Sequence, residues 1–305
     1  MTTEFASLWV IAAIAAAGFQ TLRFMLQKVL STAVLSPAGA TFSRFLYSAP
    51  VIAVLTAIYL FVTGQALPAL SPAFWGFVFA GGLAQITATI FVVTLFKSRS
   101  FAVGVTLMKT EVILSVIVGL ILLGEGVSAA AFAAIALGLV GVLLLSTPPQ
   151  VKGLGMAEMF NRGVALGLGA GILFAVSAVS YRGASLELDA ADPVLRAAVT
   201  LAAVTGSQML GMAAWLWLRD RPQLGAVWGA RRVAVWVGIM SMGGSFGWFL
   251  AFTLQTAAYV KAVGQVELIF SLMASVLFFG ERSTMRELSG MAVLVASILL
   301  LVLVI

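Results

Sequence analysis

The sequence predicts an all-α polytopic membrane protein, with about ten transmembrane helices laid out as a 5+5 inverted repeat around a central cavity. Three observations lead there. Of 305 residues, 62% are hydrophobic and 9% charged, with a mean hydropathy of +1.13, whereas a soluble domain is roughly a quarter charged. The apolar residues fall into stretches of ~20 separated by polar or Pro/Gly breaks, the length a helix needs to cross a bilayer. One stretch also occurs twice. Lys109-Thr110-Glu111-Val112-Ile113-Leu114-Ser115, closing at Gly124-Glu125, returns as Gln265-Val266-Glu267-Leu268-Ile269-Phe270-Ser271, closing at Gly280-Glu281, always at an offset of 156.

In chain order, spans are predicted near 6–27, 38–62, 73–96, 101–123, 128–146, 162–183, 194–218, 233–255, 258–279 and 286–304. Span 1 carries Gln20, Arg23 and Gln27 at i, i+3 and i+7, a single face turned from lipid towards a cavity. Arg44 in span 2 lies too deep to snorkel unaided, so pairing is its expected use. The uncharged run from Phe45 to Phe96 is cut into two spans by Gly64, Pro68, Ser71 and Pro72. Span 3 offers Gln85, Thr87 and Thr89. Ala130, Ala134 and Gly138 in span 5, and Gly163, Gly167 and Gly171 in span 6, recur every fourth residue and let backbones approach closely. Span 6 adds Ser177, Ser180 and Tyr181. Span 8 holds Ser241, Ser245 and Trp248, with Gly243-Gly244 suggesting a bend or a close ligand approach. In span 9, Lys261 and Gln265 share a face.

The same offset pairs Pro37 with Pro193, Gly82 with Gly238 and Phe96 with Phe252. The chain therefore divides into 1–149 (spans 1 to 5) and 150–305 (spans 6 to 10). An odd number of spans per repeat turns the halves over relative to each other and places a site near the midplane between them. The loops after odd-numbered spans hold Lys28, Lys97, Arg99, Lys152, Arg162, Arg219, Arg221, Arg231, Arg232, Arg282 and Arg286, against Arg182, Arg196 and Lys261 on the other side. That bias puts both termini on the non-cytoplasmic side of a multi-pass protein of the bacterial inner membrane. The N-terminus lacks the basic region of a secretory signal, so the first apolar segment reads as a retained span. Trp9, Trp75, Trp215, Trp217, Trp228 and Trp236 are expected in an aromatic belt.

With no cysteine and no histidine, thiol, haem and most zinc chemistry are excluded, and so is a Ser-His-Asp triad. No phosphate-cradling motif is present, so ATP is not expected, nor is any cofactor, metal or nucleic acid. Interest falls on Glu111 and Glu267, each about ten residues into a span and so roughly 15 Å deep. Charges there need a water-filled cavity or a partner, the candidates being Lys109, Arg23, Arg44 and Lys261. Two uses stand open: holding a substrate ammonium or a coupling proton, and locking helices together by ion pairing. One glutamate is expected in each role. Arg23 has two readings as well, clamping a carboxylate or snorkelling to the interface.

On Gly124-Glu125, Gly280-Glu281 and Arg44 in its Arg-Phe-Leu context, the chain resembles the drug/metabolite transporter superfamily, in its EamA-type ten-span branch. With Glu111 and Glu267 where a proline is common, it is similar to the YddG-type aromatic amino-acid exporters. The resemblance implies a transporter rather than an enzyme. It implies efflux of small metabolites, above all amino acids with apolar or aromatic side chains, by alternating access through a basket-shaped cavity. The expected cavity set is Gln20, Arg23, Gln85, Lys109, Glu111, Ser177, Tyr181, Ser245, Trp248, Tyr259, Lys261, Gln265 and Glu267, with Phe246 as a further apolar wall. Gly124, Glu125, Gly280, Glu281 and Arg44 are the structural motif. The expected partners are a small-molecule substrate and the bilayer, with the oligomeric state open. A multidrug or cationic-compound exporter of the same fold is the alternative, and an intramembrane enzyme a remoter one.

Overall fold

The computed structural model describes residues 3–33, 35–95, 107–146, 162–279 and 284–305. Gly280 and Glu281 lie outside them, as do Phe96, Lys97, Arg99, Lys152 and Arg282. The described residues form twelve α-helices: α1 Thr3–Ala33, α2 Pro37–Thr63, α3 Pro72–Leu95, α4 Glu111–Leu123, α5 Ala129–Ser146, α6 Arg162–Leu186, α7 Pro193–Arg219, α8 Pro222–Gly229, α9 Arg231–Leu254, α10 Ala257–Gly264, α11 Glu267–Phe279 and α12 Met285–Val304. The protein is all-α and polytopic. Seven of these helices are long and apolar enough to cross a membrane, and two shorter apolar ones run over Glu111–Leu123 and Ala129–Leu145.

Helix ends follow local chemistry. Ser36 caps α2 by accepting from the Gly39 amide at 3.1 Å, with Pro37 behind it where no amide is needed. The helix stops at Gly64, whose φ of 67° suits a residue without Cβ. Asp192 caps α7 in the same way, accepting from the Val194 amide at 2.9 Å ahead of Pro193. Thr284 and Glu287 form a reciprocal capping box on α12. Gly124, also at φ 67°, ends α4, its amide and that of Glu125 returning to the Leu120 and Gly119 carbonyls.

The principal packing joins helices from the two halves of the sequence. α1 lies along α9 and α3 along α6; α2 packs on α7 and α5 on α12. Small residues set these distances. A Cβ on Gly141 would stand 2.8 Å from the Leu294 amide and one on Gly290 3.0 Å from the Leu145 amide, so α5 and α12 touch backbone to backbone. Gly82 faces Gln208 of α7, and Gly238, its mate at the 156 offset, faces Tyr47 of α2.

Several expectations change. The ninth span is not one helix: it breaks at Gln265–Val266 into α10 and α11, bridged by short i to i+3 bonds such as Gln265 to Ala262 at 3.2 Å. The fourth is likewise interrupted at Lys109–Thr110, just before α4. Gly243-Gly244 does not interrupt α9, which runs unbroken; the glycines admit Phe19 and the α1 backbone. Trp9 is 4% exposed in the core rather than in a belt, whereas Trp215, Trp217, Trp228 and Trp236 do face outward. The short helix α8, bounded by Pro222 and Gly229, was not expected; Gln223 on it accepts from the Ser36 amide at 2.9 Å, fixing it below α2.

Candidate substrate cavity

The break in each interrupted span decides where the glutamates sit. Glu111 and Glu267 are the first residues of α4 and α11 rather than mid-helix residues. At that position the unpaired amides of the first turn favour a carboxylate. Gly264, just ahead of the second break, is a signal in the sequence that could have found it; the first break has no such residue, Met108 standing there instead.

Both carboxylates are ion-paired, and each partner comes from the other half of the sequence. Lys261 Nζ reaches Glu111 Oε2 at 3.2 Å, and Lys109 Nζ pairs with Glu267 Oε1. The lysines are not symmetry mates, since the counterpart of Lys109 is Gln265 and that of Lys261 is Val105. Gln20 Nε2 donates to the other Glu267 oxygen at 2.5 Å, while its own Oε1 accepts from Trp248 Nε1 at 3.1 Å. Lys261 also lies 5.4 Å from the Trp248 ring and 5.5 Å from that of Phe174, distances suited to a cation over an aromatic face. The expected division of labour, one glutamate in the cavity and one in a lock, does not describe this arrangement: both line the cavity and both are paired.

The empty space among these side chains amounts to ≈ 630 Å³, open solvent at its mouth included. Of the predicted set it brings together Gln20, Arg23, Gln85, Lys109, Glu111, Ser177, Tyr181, Ser245, Trp248, Lys261 and Glu267, together with Arg44. Tyr259 and Gln265 fall outside the lining. Tyr259 packs against the main apolar core, and Gln265 is buried beside Lys109 towards α5 and α12. Phe246 belongs to a separate outer groove between α2, α7 and α9. The aromatic wall keeps the expected Trp248 and Tyr181 and adds Phe24, Phe174, Phe249 and Phe252.

The two arginines are buried, at 3% and 4% exposure, and neither snorkels to an interface. Arg44 donates from Nε to Ser241 Oγ at 2.7 Å and from Nη2 to Ser245 Oγ at 3.0 Å, tying α2 to α9. Arg23 donates to Gln27 Oε1 at 3.2 Å and covers the Phe24 ring at 4.2 Å. Tyr181 stacks on Phe249 with centroids 4.5 Å apart and donates to Gln85 Oε1 at 3.0 Å. Gln208, unremarked in the sequence, donates to the same Gln85 oxygen at 3.0 Å.

The Gly-Glu end of α4 is an anchor. Glu125 takes the Arg182 Nε at 2.7 and 2.6 Å, and Arg182 Nη1 donates to the Phe252 and Gln255 carbonyls at 2.8 and 2.9 Å. One carboxylate thereby joins the ends of α4, α6 and α9.

A cavity between the two halves, lined by charges of both signs and closed by aromatic rings, is the setting in which the likeness to known proteins carries weight. Residues 161–303 match the EamA-like transporter family. The EamA-like region runs from α6 through α12 and supplies Ser177, Tyr181, Ser245, Trp248, Lys261 and Glu267 to the cavity; Gln20, Arg23, Arg44, Gln85, Lys109 and Glu111 come from the residues before it. No curated protein matches the sequence. Among solved structures, one crystal structure is similar over 100% of both chains, with a TM-score of 0.71 and 17% identity, a likeness of fold. The protein is thus a multi-pass membrane protein whose residues 161–303 are similar to the EamA-like transporter family.

Proposed function

We propose that the protein is a secondary transporter that exports small metabolites, amino acids with apolar or aromatic side chains being the most specific form of that reading, by alternating access between two five-helix halves. The observation that carries it is the charged, aromatic-walled cavity whose lining comes from both halves, which the matching EamA-like region supports. A carboxylate has Arg23 and Arg44 to bind it, since a guanidinium presents paired donors to two oxygens. An apolar body has the rings of Phe174, Trp248, Phe249 and Phe252. In this reading the halves rock about the cavity, and the crossed Lys109–Glu267 and Lys261–Glu111 pairs rearrange as they do.

Liposomes reconstituted with the protein test this. Uptake of labelled phenylalanine, methionine, threonine and a cationic drug is followed with and without a proton gradient. Saturable phenylalanine and methionine flux is expected. No flux of any amino acid removes the substrate assignment, and indifference to the gradient removes a coupling proton on the glutamates.

A further inference from the structure

We infer that the cavity selects its cargo by negative charge, and that the preferred cargo is an organic anion with an apolar or aromatic body rather than a zwitterion or a cation. The inference rests on the transport reading above but departs from its amino-acid form, since an apolar amino acid is a zwitterion and ranks below an anion of the same body.

The charges on the cavity wall do not balance. Arg23, Arg44, Lys109 and Lys261 face only two carboxylates, Glu111 and Glu267, and the lysines already hold both. Among the described residues the arginines have neutral partners alone: Gln27 and a phenyl ring for Arg23, Ser241 and Ser245 for Arg44. A guanidinium carries five N–H donors. The bonds described use one on Arg23 and two on Arg44. None of the remaining arginine nitrogens is both sealed from the cavity and unpartnered. Two cations buried without an anion are costly in a low dielectric, and a bound anion relieves that cost directly. The converse holds for an ammonium group. Its counterions would have to be Glu111 or Glu267, and taking either one strands a buried lysine.

The test is a charge ladder on one ring: phenethylamine (cation), phenylalanine (zwitterion), 3-phenylpropionate (single anion) and phenylsuccinate (double anion). Binding to the purified full-length protein is measured by thermal shift and calorimetry, and each compound is then tried as an inhibitor of phenylalanine counterflow in liposomes. Affinity is expected to rise along the ladder in that order. Arg44→Gln and Arg23→Gln should each weaken the anions by about 10- to 100-fold while leaving phenethylamine unchanged or better bound. Arg44→Lys, which keeps the charge but not the fork, should recover part of the loss. The ladder on the unaltered protein decides the matter even where a variant does not fold. Tighter binding of phenylalanine or phenethylamine than of either anion overturns the inference and leaves the transport reading intact. Failure of all four to bind a folded protein overturns the inference, and absence of amino-acid flux in the preceding assay is the separate result that removes the amino-acid assignment.

Discussion

A carboxylate at membrane depth is tolerated only with a partner, and Glu111 and Glu267 each take a lysine from the far half of the chain. With side chains 7% and 11% exposed, Glu111 and Lys261 form a buried pair, for which loss of one partner costs more than loss of both. Glu111→Gln and Lys261→Gln should each destabilise the protein by about 3–5 kcal/mol, and the double variant by clearly less than their sum. Thermal unfolding in detergent measures all three, and additive losses would mean that the two groups do not interact. These residues were legible in the sequence because charge is rare in apolar stretches. The aromatic wall was not: with 21 phenylalanines in the chain and at least one in eight of the ten expected spans, nothing separates Phe24, Phe174, Phe249 and Phe252 from those facing lipid. Arg44 was marked as needing a partner, but its serines belong to a residue class whose usual use is bonding its own backbone.

Apart from α8 and the interrupted fourth and ninth spans, the described helices were foreseen to within several residues, since apolar length and Pro/Gly punctuation are local signals. The break inside the ninth span is local too, but a turn of i to i+3 bonds consumes no proline and leaves the apolar pattern intact. α5 and α12 meet through glycine. Gly141→Ala places a methyl against the Leu294 amide and the Gly290 carbonyl, neither of which can move aside without the helix, so a loss of about 1–3 kcal/mol is expected, read as a lower unfolding temperature. An effect near zero would mean the two helices separate freely. At the cap of α7, burial raises the Asp192 carboxyl but hydrogen bonds from Tyr59, Gln65 and the Val194 and Leu195 amides outweigh it, and its pKa lies below the usual 3.8. A depressed carboxyl stabilises above its unfolded pKa and ceases to do so as pH falls through the folded value. Asp192→Asn should therefore flatten the acid side of the stability profile below about pH 4. An unchanged slope, measured by unfolding across that range, would assign the acid sensitivity to other groups.

At the level of the whole molecule, the offset of 156 names symmetry mates but not neighbours, which is why the crossed contacts of α1 with α9 and α3 with α6 were beyond the sequence. The lysine and arginine count gives an orientation that can be checked in a chain without cysteine. A cysteine introduced at Gln65 should react with an impermeant maleimide in intact cells, and one at Arg221 only after permeabilisation. Labelling of position 221 from outside would reverse the topology. The crossed lysine–glutamate pairs carry one last consequence. Because the two members of each pair belong to different halves, the rocking proposed above would part both pairs in an empty carrier and leave four charges without company. On that proposal, passage through the intermediate would be slow for an empty protein and faster for a loaded one whose cargo stands in for the missing carboxylates. In such a cycle the arrangement would act as a brake on idle turnover, released by the cargo itself.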